Sequence, residues 1–373
     1  MILRKGYKFR LEPIKTQRNL FFQFAGAGRW VFNRGLAQKK DAWKINKQTI
    51  SLFAQNKELT LLKNKDETAW LKTIHSQVLQ QSLQDLDSAY KNFFRGLKNK
   101  ENPGFPKFKV KGFKDSFRYP QGVKVEGSLV FLPKIGWIKF RKSREIKGII
   151  KQSTIIREGD NWFVSFNTEN EIETPKPILD PEKTVGIDLG LKSFATLAIG
   201  KDNHLVTIEN PKYLRKKITK LQFLSRQLSK KVKKSKNRYK AIKKLSSFHS
   251  HLKNLRLDFF HKQALTIVKS HDIINIEKMN VKGMLKGLKN LSRAINDAAW
   301  SMFVNCLKNK AIEYGKTLKE ISSLMGSTKH CSKCGHKNDI TLKERTYICS
   351  FCGQVIDRDL NAAINIKAAG STV

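Results

Sequence analysis

Four of the five cysteines fall in two Cys-x-x-Cys pairs, Cys331/Cys334 and Cys349/Cys352, with 14 residues between the pairs. Two such knuckles wrap four thiolates around one ion, and Zn²⁺ is held tetrahedrally by sulfur at about 2.3 Å. With all four positions taken, no place is left for a reacting water, so the predicted zinc is structural. His330 and His336 stand nearby, but the four-sulfur set needs neither. Three acids at the ends of separate segments offer a different chemistry. Asp188 follows the apolar Val185-Gly186-Ile187, Glu277 ends the run Ile273-Ile274-Asn275-Ile276, and Asp359 lies in Asp357-Arg358-Asp359-Leu360-Asn361-Ala362-Ala363. Each alone has a plainer reading, as a turn acid, a chance strand-end acid or a helix cap. Together they suit another use: clustered carboxylates repel unless cations join them, and two Mg²⁺ about 4 Å apart can share three such groups. One ion then activates a water while the other stabilises the leaving oxygen of an in-line phosphoryl displacement.

The charge of the chain fits a phosphodiester substrate. Its 373 residues carry 73 Lys and Arg against 31 Asp and Glu, a formal net charge of +42. A folded protein with that excess repels itself unless it meets a polyanion, and duplex DNA presents one charge per roughly 1.7 Å of axis. Composition alone does not separate DNA from RNA. With 40% hydrophobic residues the chain can bury cores and is not a disordered basic tail. The longest apolar runs fall far short of the roughly 20 residues that span a bilayer, and the N-terminus lacks a secretory core. No membrane partner is expected, and the cysteine pattern argues against a disulfide framework, so the expected compartment is the cytoplasm. The basic excess is concentrated: residues 212–262 hold 18 Lys and Arg and one acid, Asp258. Their apolar residues recur at helical spacing, which predicts a basic helical hairpin turning near Lys236-Asn237. Lys216, Lys217, Lys230, Lys231, Lys233, Lys234, Arg238, Lys243 and Lys244 are its candidate phosphate contacts.

These groups need positioning elements. Residues 2–12 alternate apolar and basic side chains, predicting a strand that stops at Pro13. Thr16 is the expected cap of a helix through Phe21, Phe24, Trp30 and Phe32, and a second helix is predicted over about 74–97. For Trp30, Phe32, Tyr90 and Phe94 core packing is expected. After Pro103-Gly104 and Pro106, short β-like runs follow to about 168, at 129–132, 136–140, 153–156 and 162–166. A β-barrel closed by the N-terminal strand and interrupted by helices is the economical reading. Glu169–Glu182, with three prolines, reads as a linker. Beyond it, 184–187 and 194–199 are buried-type strands. An apolar strand delivering one Asp between glycines is how ribonuclease H-like folds present their first metal carboxylate, although sugar-kinase and actin-like ATPases start similarly.

The order Gly-Ile-Asp-Leu-Gly (186–190), basic helices, Ile-Glu-Lys-Met-Asn-Val-Lys-Gly-Met (276–284), two Cys-x-x-Cys-Gly knuckles and Asp-Arg-Asp-Leu-Asn-Ala-Ala resembles the TnpB (OrfB) proteins of bacterial and archaeal insertion sequences, relatives of type V CRISPR effector nucleases. The N-terminal half also resembles that family, in Tyr7–Leu11, Trp30–Asn33, Gln80–Leu86, Gly104–Phe108, Ser116–Pro120 and Leu132–Gly136. The resemblance implies an α+β multidomain protein. Residues 1–12 and 104–168 would form a wedge β-barrel, 13–103 a helical recognition insert, and 169–373 a RuvC-like nuclease of ribonuclease H fold with a Cys₄ zinc ribbon inserted at 327–356. It implies Asp188, Glu277 and Asp359 as the catalytic, Mg²⁺-binding triad, favouring Asp359 over Asp357 because the family's acid stands two residues before Asn. It also implies a guide RNA derived from the transposon end, a double-stranded DNA target, and a bacterial or archaeal cytoplasm. Base pairing would then carry specificity. The alternative is a DNA-binding protein or transposase accessory factor without cleavage, against which the intact triad argues.

Overall fold

The computed structural model describes residues 1–112, 115–171, 180–322, 326–341 and 344–371. The chain divides into two compact units, Met1–Ile172 and Glu173–Val373.

The first unit is built on aromatic alternation. Strand β1 (Ile2–Arg10) turns Tyr7 and Phe9 inward, and Leu11 continues that alternation into the core, as a period of two requires. Helices α1 (Lys15–Asn46), α2 (Leu52–Lys63) and α3 (Ser76–Lys98) follow, then strands β2 (Ser116–Tyr119), β3 (Lys124–Glu126), β4 (Leu129–Leu132), β5 (Gly136–Lys139), β6 (Ile149–Glu158) and β7 (Asn161–Glu171). One antiparallel sheet runs β1-β7-β6-β2 and a second runs β3-β4-β5, with a bridge between Leu11 and Phe140 tying β1 to the end of β5. Phe21 and Phe24 of α1 meet Phe117, Tyr119 and Trp162 from the sheet at ring separations of 5.0–6.4 Å. Buried Asp115 takes Arg29 at 3.1 Å and Arg157 at 2.8 Å, fastening α1 to β6.

Several expectations are corrected here. Thr16 does not cap α1: the helix starts at Lys15, and the Gln17 side chain accepts from the Ile14 amide at 3.2 Å instead. Glu169–Glu171 belong to β7, where they pair with Ile2–Arg4 of β1, so they are strand and not linker. Residues 172–179 of the expected linker lie outside the described residues. Phe32 is buried and Trp30 and Tyr90 are partly buried, but Phe94 stays 59% exposed. At that end of α3 Phe105 packs on Tyr90 and Phe93, and Phe94 touches the same two rings at 6.3 and 5.3 Å while its outer side meets solvent.

The second unit has a five-stranded sheet in the order β10-β9-β8-β11-β12, from β8 (Thr184–Leu189), β9 (Ser193–Ile199), β10 (His204–Glu209), β11 (Ile273–Lys278) and β12 (Thr317–Ser322). Strands β8, β11 and β12 are parallel neighbours; β9 runs against them, and β10, antiparallel to β9, runs in their direction again. Between β10 and β11 come α4 (Tyr213–Lys216), α5 (Ile218–Ser229) and α6 (Lys236–Ser270). Helices α7 (Val281–Gly287), α8 (Ser292–Ala298) and α9 (Trp300–Tyr314) precede β12; β13 (Thr346–Ile348), β14 (Val355–Asp357) and α10 (Arg358–Ser371) close the unit. Val185 and Ile187 face a core with Phe260, Ala264 and Ile267 of α6 and Phe303 and Leu307 of α9. The alternate residues of β8 face α10, so both faces of the strand are covered, and Thr184–Ile187 and Leu189 are all buried. Among the described residues no helix is long and apolar enough to cross a membrane.

The basic hairpin is α5 and α6. Its turn lies at Lys230–Ser235, slightly before the expected Lys236-Asn237, and the Ser235 hydroxyl caps α6 by accepting from the Arg238 amide at 3.1 Å. No residue of α5, and none of α6 before Phe248, is buried.

Candidate active site

The three acids are assembled by register. Strand β11 pairs with β8 so that Asn275 lies beside Gly186 and Ile276 beside Ile187. One residue further along both strands, Asp188 and Glu277 emerge side by side on the face that carries Gly186 and Asn275. That face is covered by α10, which seats closely because Gly186 has no side chain: a Cβ there would lie 2.1 Å from the Ala363 carbonyl oxygen. Asn275, fully buried, donates to the Lys367 carbonyl at 2.9 Å one turn further along α10. Ala363 thus sits over Gly186 and Lys367 over Asn275. Asp359 is one turn before Ala363, about 6 Å along the helix axis. Asp188 is two strand residues beyond Gly186, about 6.6 Å. The two steps match, and the charge of Asp359 reaches Asp188.

The electrostatics reflect this convergence. Burial first, then the charges of Asp359 and Glu277, push Asp188 up to about 8, against the smaller opposing effects of Arg358 and the Leu189 amide. Burial also raises Glu277, partly offset by the Ser327 hydroxyl, which donates to it at 3.0 Å. Asp359 accepts from the Arg358 guanidinium at 2.8 and 3.1 Å, with Arg345 at 3.8 Å. Asp357 has a separate job: its carboxylate accepts from the Asp359 and Leu360 amides at 2.9 and 3.0 Å and so caps α10. The plain helix-cap role thus falls to Asp357, leaving Asp359 turned toward Asp188.

Beside this site stands the cysteine group. The sulfurs of Cys331, Cys334, Cys349 and Cys352 all lie within 4.8 Å of one another, and they are the only such ligating group among the described residues. Cys331–Cys352 and Cys334–Cys349 are 3.6 Å apart. Sulfurs arranged tetrahedrally about a zinc at 2.3 Å would be separated by about 3.8 Å, so the cage has the size of that ion, while a disulfide needs about 2.05 Å. Each knuckle closes on a glycine. Gly335 (φ 75°) and Gly353 (φ 70°) donate back to the Cys331 and Cys349 carbonyls at 2.9 and 3.1 Å, a left-handed turn that a side chain would strain. The Cys352 and Phe351 amides help draw Cys349 down to about 6. Cys334 is pushed up to about 12 by burial and neighbouring thiols although the His336 amide opposes this. Protons shared this unevenly are what a dication would replace with four thiolates. His336 stacks on Phe351 and His330 contacts the Gly326 carbonyl.

Residues that sequence reasoning missed are the ones joining these parts. Asn361 accepts from the Ser332 amide at 2.9 Å and donates to the His330 carbonyl at 2.7 Å, and Asn365 donates to the Ser327 and His330 carbonyls at 2.7 Å. The first knuckle is thereby fixed to the helix that carries Asp359. Asn361 stands in the Asp-Arg-Asp-Leu-Asn-Ala-Ala run, and the signal for Asn365 is its helical spacing of four from Asn361. Asp297 likewise anchors the base of the hairpin, accepting from the Leu214 amide at 3.0 Å and from Arg256 at 2.9 Å. Along the hairpin Lys216, Lys230, Lys231, Lys233, Lys234 and Lys244 are exposed. Lys217 meets His251 at 3.3 Å, Lys243 lies 5.2 Å from the Tyr239 ring, and Arg238 donates to the Leu228 and Lys231 carbonyls of the turn at 3.1 Å.

The class defined by fold and site is an α+β protein sharing the architecture of the small CRISPR effectors. The chain superposes on the Cas12f1 chain of a solved Cas12f1–sgRNA–target DNA complex with a TM-score of 0.61 at 15% identity, covering 95% of this chain and 83% of that one. Against the mini-RNA-guided endonuclease CRISPR-Cas_phi3 the TM-score is 0.51 at 11% identity, covering 98% and 92%. Family models match at residues 165–287 ("Probable transposase", OrfB of IS605), 300–366 (the Cas12f1-like TNB domain) and 1–48 (a helix-turn-helix domain). In the last of these, residues 1–48 hold β1 and a single continuous helix. The chain is 36% identical to the Escherichia coli protein named "Putative RNA-guided DNA endonuclease InsQ", over 99% of this chain and 93% of that protein. It is 33% identical to a "Putative RNA-guided DNA endonuclease" of Streptomyces pristinaespiralis, over 99% and 90%. The chain belongs to the TnpB (OrfB) family of insertion-sequence proteins.

Proposed function

We propose that this chain is a transposon-encoded, RNA-guided DNA endonuclease that hydrolyses phosphodiester bonds with Asp188, Glu277 and Asp359 as its catalytic carboxylates. The observation carrying this reading is the grouping of three acids from β8, β11 and α10: burial, and then the charges of Asp359 and Glu277, raise Asp188 to about 8. Such a cluster suits cations more than protons. Held there, Mg²⁺, a pair of ions on this reading, would supply water activation and stabilisation of the leaving oxygen. Ser327 would fix the orientation of Glu277, and Arg358 that of Asp359. The four cysteines would hold a structural zinc that keeps the first knuckle packed on α10. The two sheets of the first unit are read as a wedge barrel, the helices between β1 and β2 as a recognition insert, and the second unit as a RuvC-like nuclease with the ribbon at 327–356 inserted. The partners on this reading are a guide RNA from the transposon end and double-stranded DNA, with the exposed hairpin lysines on phosphates.

The test is to purify the full chain from its host, sequence the RNA that accompanies it, and programme plasmid cleavage with that RNA. A discrete RNA ending at the element boundary is expected. Asp188→Ala should retain that RNA and lose cutting altogether. Cutting by Asp188→Ala would refute the assigned triad.

A further inference from the structure

At one end of the α1–α3 pair lies a cleft of about 470 Å³, lined by Lys39, Lys40 and Trp43 of α1, Tyr90 and Phe94 of α3, and Phe105. Its volume falls in the roughly 300–1,000 Å³ range of ligand clefts. The rings are unusually open to solvent: Trp43 is 54% exposed, Phe94 59% and Phe105 41%. Cations stand over these faces. Lys39 Nζ is 5.2 Å from the Tyr90 centroid, Lys40 Nζ is 5.4 Å from that of Phe105 and 4.8 Å from that of Phe108, and Lys47 Nζ is 5.8 Å from that of Trp43. The one carboxylate in the lining, Asp87, is paired with Lys91 at 2.9 Å.

Core packing accounts for the contacts among Tyr90, Phe93, Phe94 and Phe105 but not for the exposure of Trp43, Phe94 and Phe105. A protein-docking groove explains it poorly, since lysine is depleted at the centre of such interfaces. Open aromatic faces ringed by cations match a platform on which unpaired bases stack while their phosphates meet the lysines. A base can enter only if it is unpaired. A folded RNA offers loops and bulges with free bases, whereas duplex DNA keeps its bases stacked inside. Gln48 and Thr49, also in the lining, can hydrogen-bond a base edge or a ribose 2′-hydroxyl.

We propose that this cleft is a stacking site for an unpaired base of the bound RNA, with Trp43, Phe94 and Phe105 as its walls and Lys40 and Lys47 on the flanking phosphates. It rests on the RNA-guided reading only in naming RNA as the occupant.

The test uses the full chain and three probes at raised salt: an rU10 oligonucleotide carrying one 5-iodouridine, dT10, and a ten-base-pair DNA duplex. Ultraviolet irradiation of the rU10 complex should crosslink the iodouridine to Trp43, Phe94 or Phe105. The double variant Trp43→Ala/Phe94→Ala should lose about tenfold in affinity for rU10 and bind the duplex unchanged, while Thr49→Ala, which removes a candidate partner of the 2′-hydroxyl, should weaken rU10 and spare dT10. Trp43→Phe/Phe94→Trp, which keeps both faces, should bind rU10 like the parent. Both side chains are more than half exposed, so the variants should melt with the parent. Unchanged rU10 affinity in the double alanine variant overturns the site, as does an equal loss on the duplex. A loss on dT10 as large as that on rU10 in Thr49→Ala overturns the assignment to RNA. Neither guide nor cutting is needed here, so failure of this site and failure of the endonuclease reading are separate results.

Discussion

Gly186→Ala adds one methyl group to β8, two residues before Asp188. That carbon would lie 2.1 Å from the Ala363 carbonyl oxygen, and 2.7 Å from the Lys367 backbone nitrogen and Cβ, where ordinary contact begins near 3.4 Å. The obstacle is helix backbone and cannot swing aside as a side-chain tip would. Helix α10 must therefore retreat by about 1.3 Å, the difference between 2.1 and 3.4 Å. Overpacking of this kind costs about 1–3 kcal/mol. In a unit of this size each kcal/mol lowers Tm by about 2–4 °C, so a fall of roughly 2–12 °C is expected. The larger effect should be on cutting, because the same retreat carries Asp359 away from Asp188 and Glu277. A misplacement of about 1 Å can cost on the order of 10²-fold in rate. The assay is guide-programmed plasmid cleavage at saturating Mg²⁺ beside thermal melting. The control is Gly287→Ala, where an added Cβ meets nothing within 4 Å, and which should stay within about 0.5 kcal/mol of the parent. If Gly186→Ala melts and cuts like that control, the seating of α10 on β8 deduced above is wrong, and so is the assembly of the triad.

Further expectations concern charge and metal. Asp188 stands at about 8 in the folded metal-free chain against an ordinary value of 3.8, so the folded state holds a proton that the unfolded state releases between those values. Metal-free stability should therefore fall as pH rises from about 4 to 8, by up to ~1.4 kcal/mol per pH unit. Asp188→Asn should flatten that slope in melts taken from pH 5 to 9; an identical slope in the variant would contradict the buried cluster. Cys349→Ser should lose bound zinc by elemental analysis and lower the Tm of the second unit, because structural zinc contributes directly to folding; full zinc occupancy with unchanged melting would dismiss the site. Replacing Lys230, Lys231, Lys233 and Lys234 by Ala should weaken DNA binding and reduce the salt slope by about 0.9 for each phosphate no longer neutralised. A slope equal to the parent's would remove these lysines from the interface.

What the sequence determined by itself is local. The strand at 184–189, the basic helices with their apolar repeats and the two Cys-x-x-Cys-Gly knuckles are legible because period, charge and spacing act over a few residues. The glycines after Cys334 and Cys352 even announce the left-handed turns that close each knuckle. The fate of Phe94 was not legible: its helical spacing from Leu86 and Tyr90 is that of a core residue, and only the end of the α1–α3 pair leaves it in water. Nor was the division of labour between Asp357 and Asp359 readable from charge or spacing, since either acid can cap a helix and only the seating of α10 turns one toward Asp188. Glu277 is the clearest case. A glutamate at a strand end is common, and apart from the family-like run 276–284 nothing in its composition or spacing marks it out. It comes beside Asp188, 89 positions away in the numbering, because β11 pairs in parallel with β8 at the register that aligns Ile276 with Ile187. Such pairing is decided by the packing of α6, α9 and α10 on the two faces of the sheet, a nonlocal balance that no window of sequence contains.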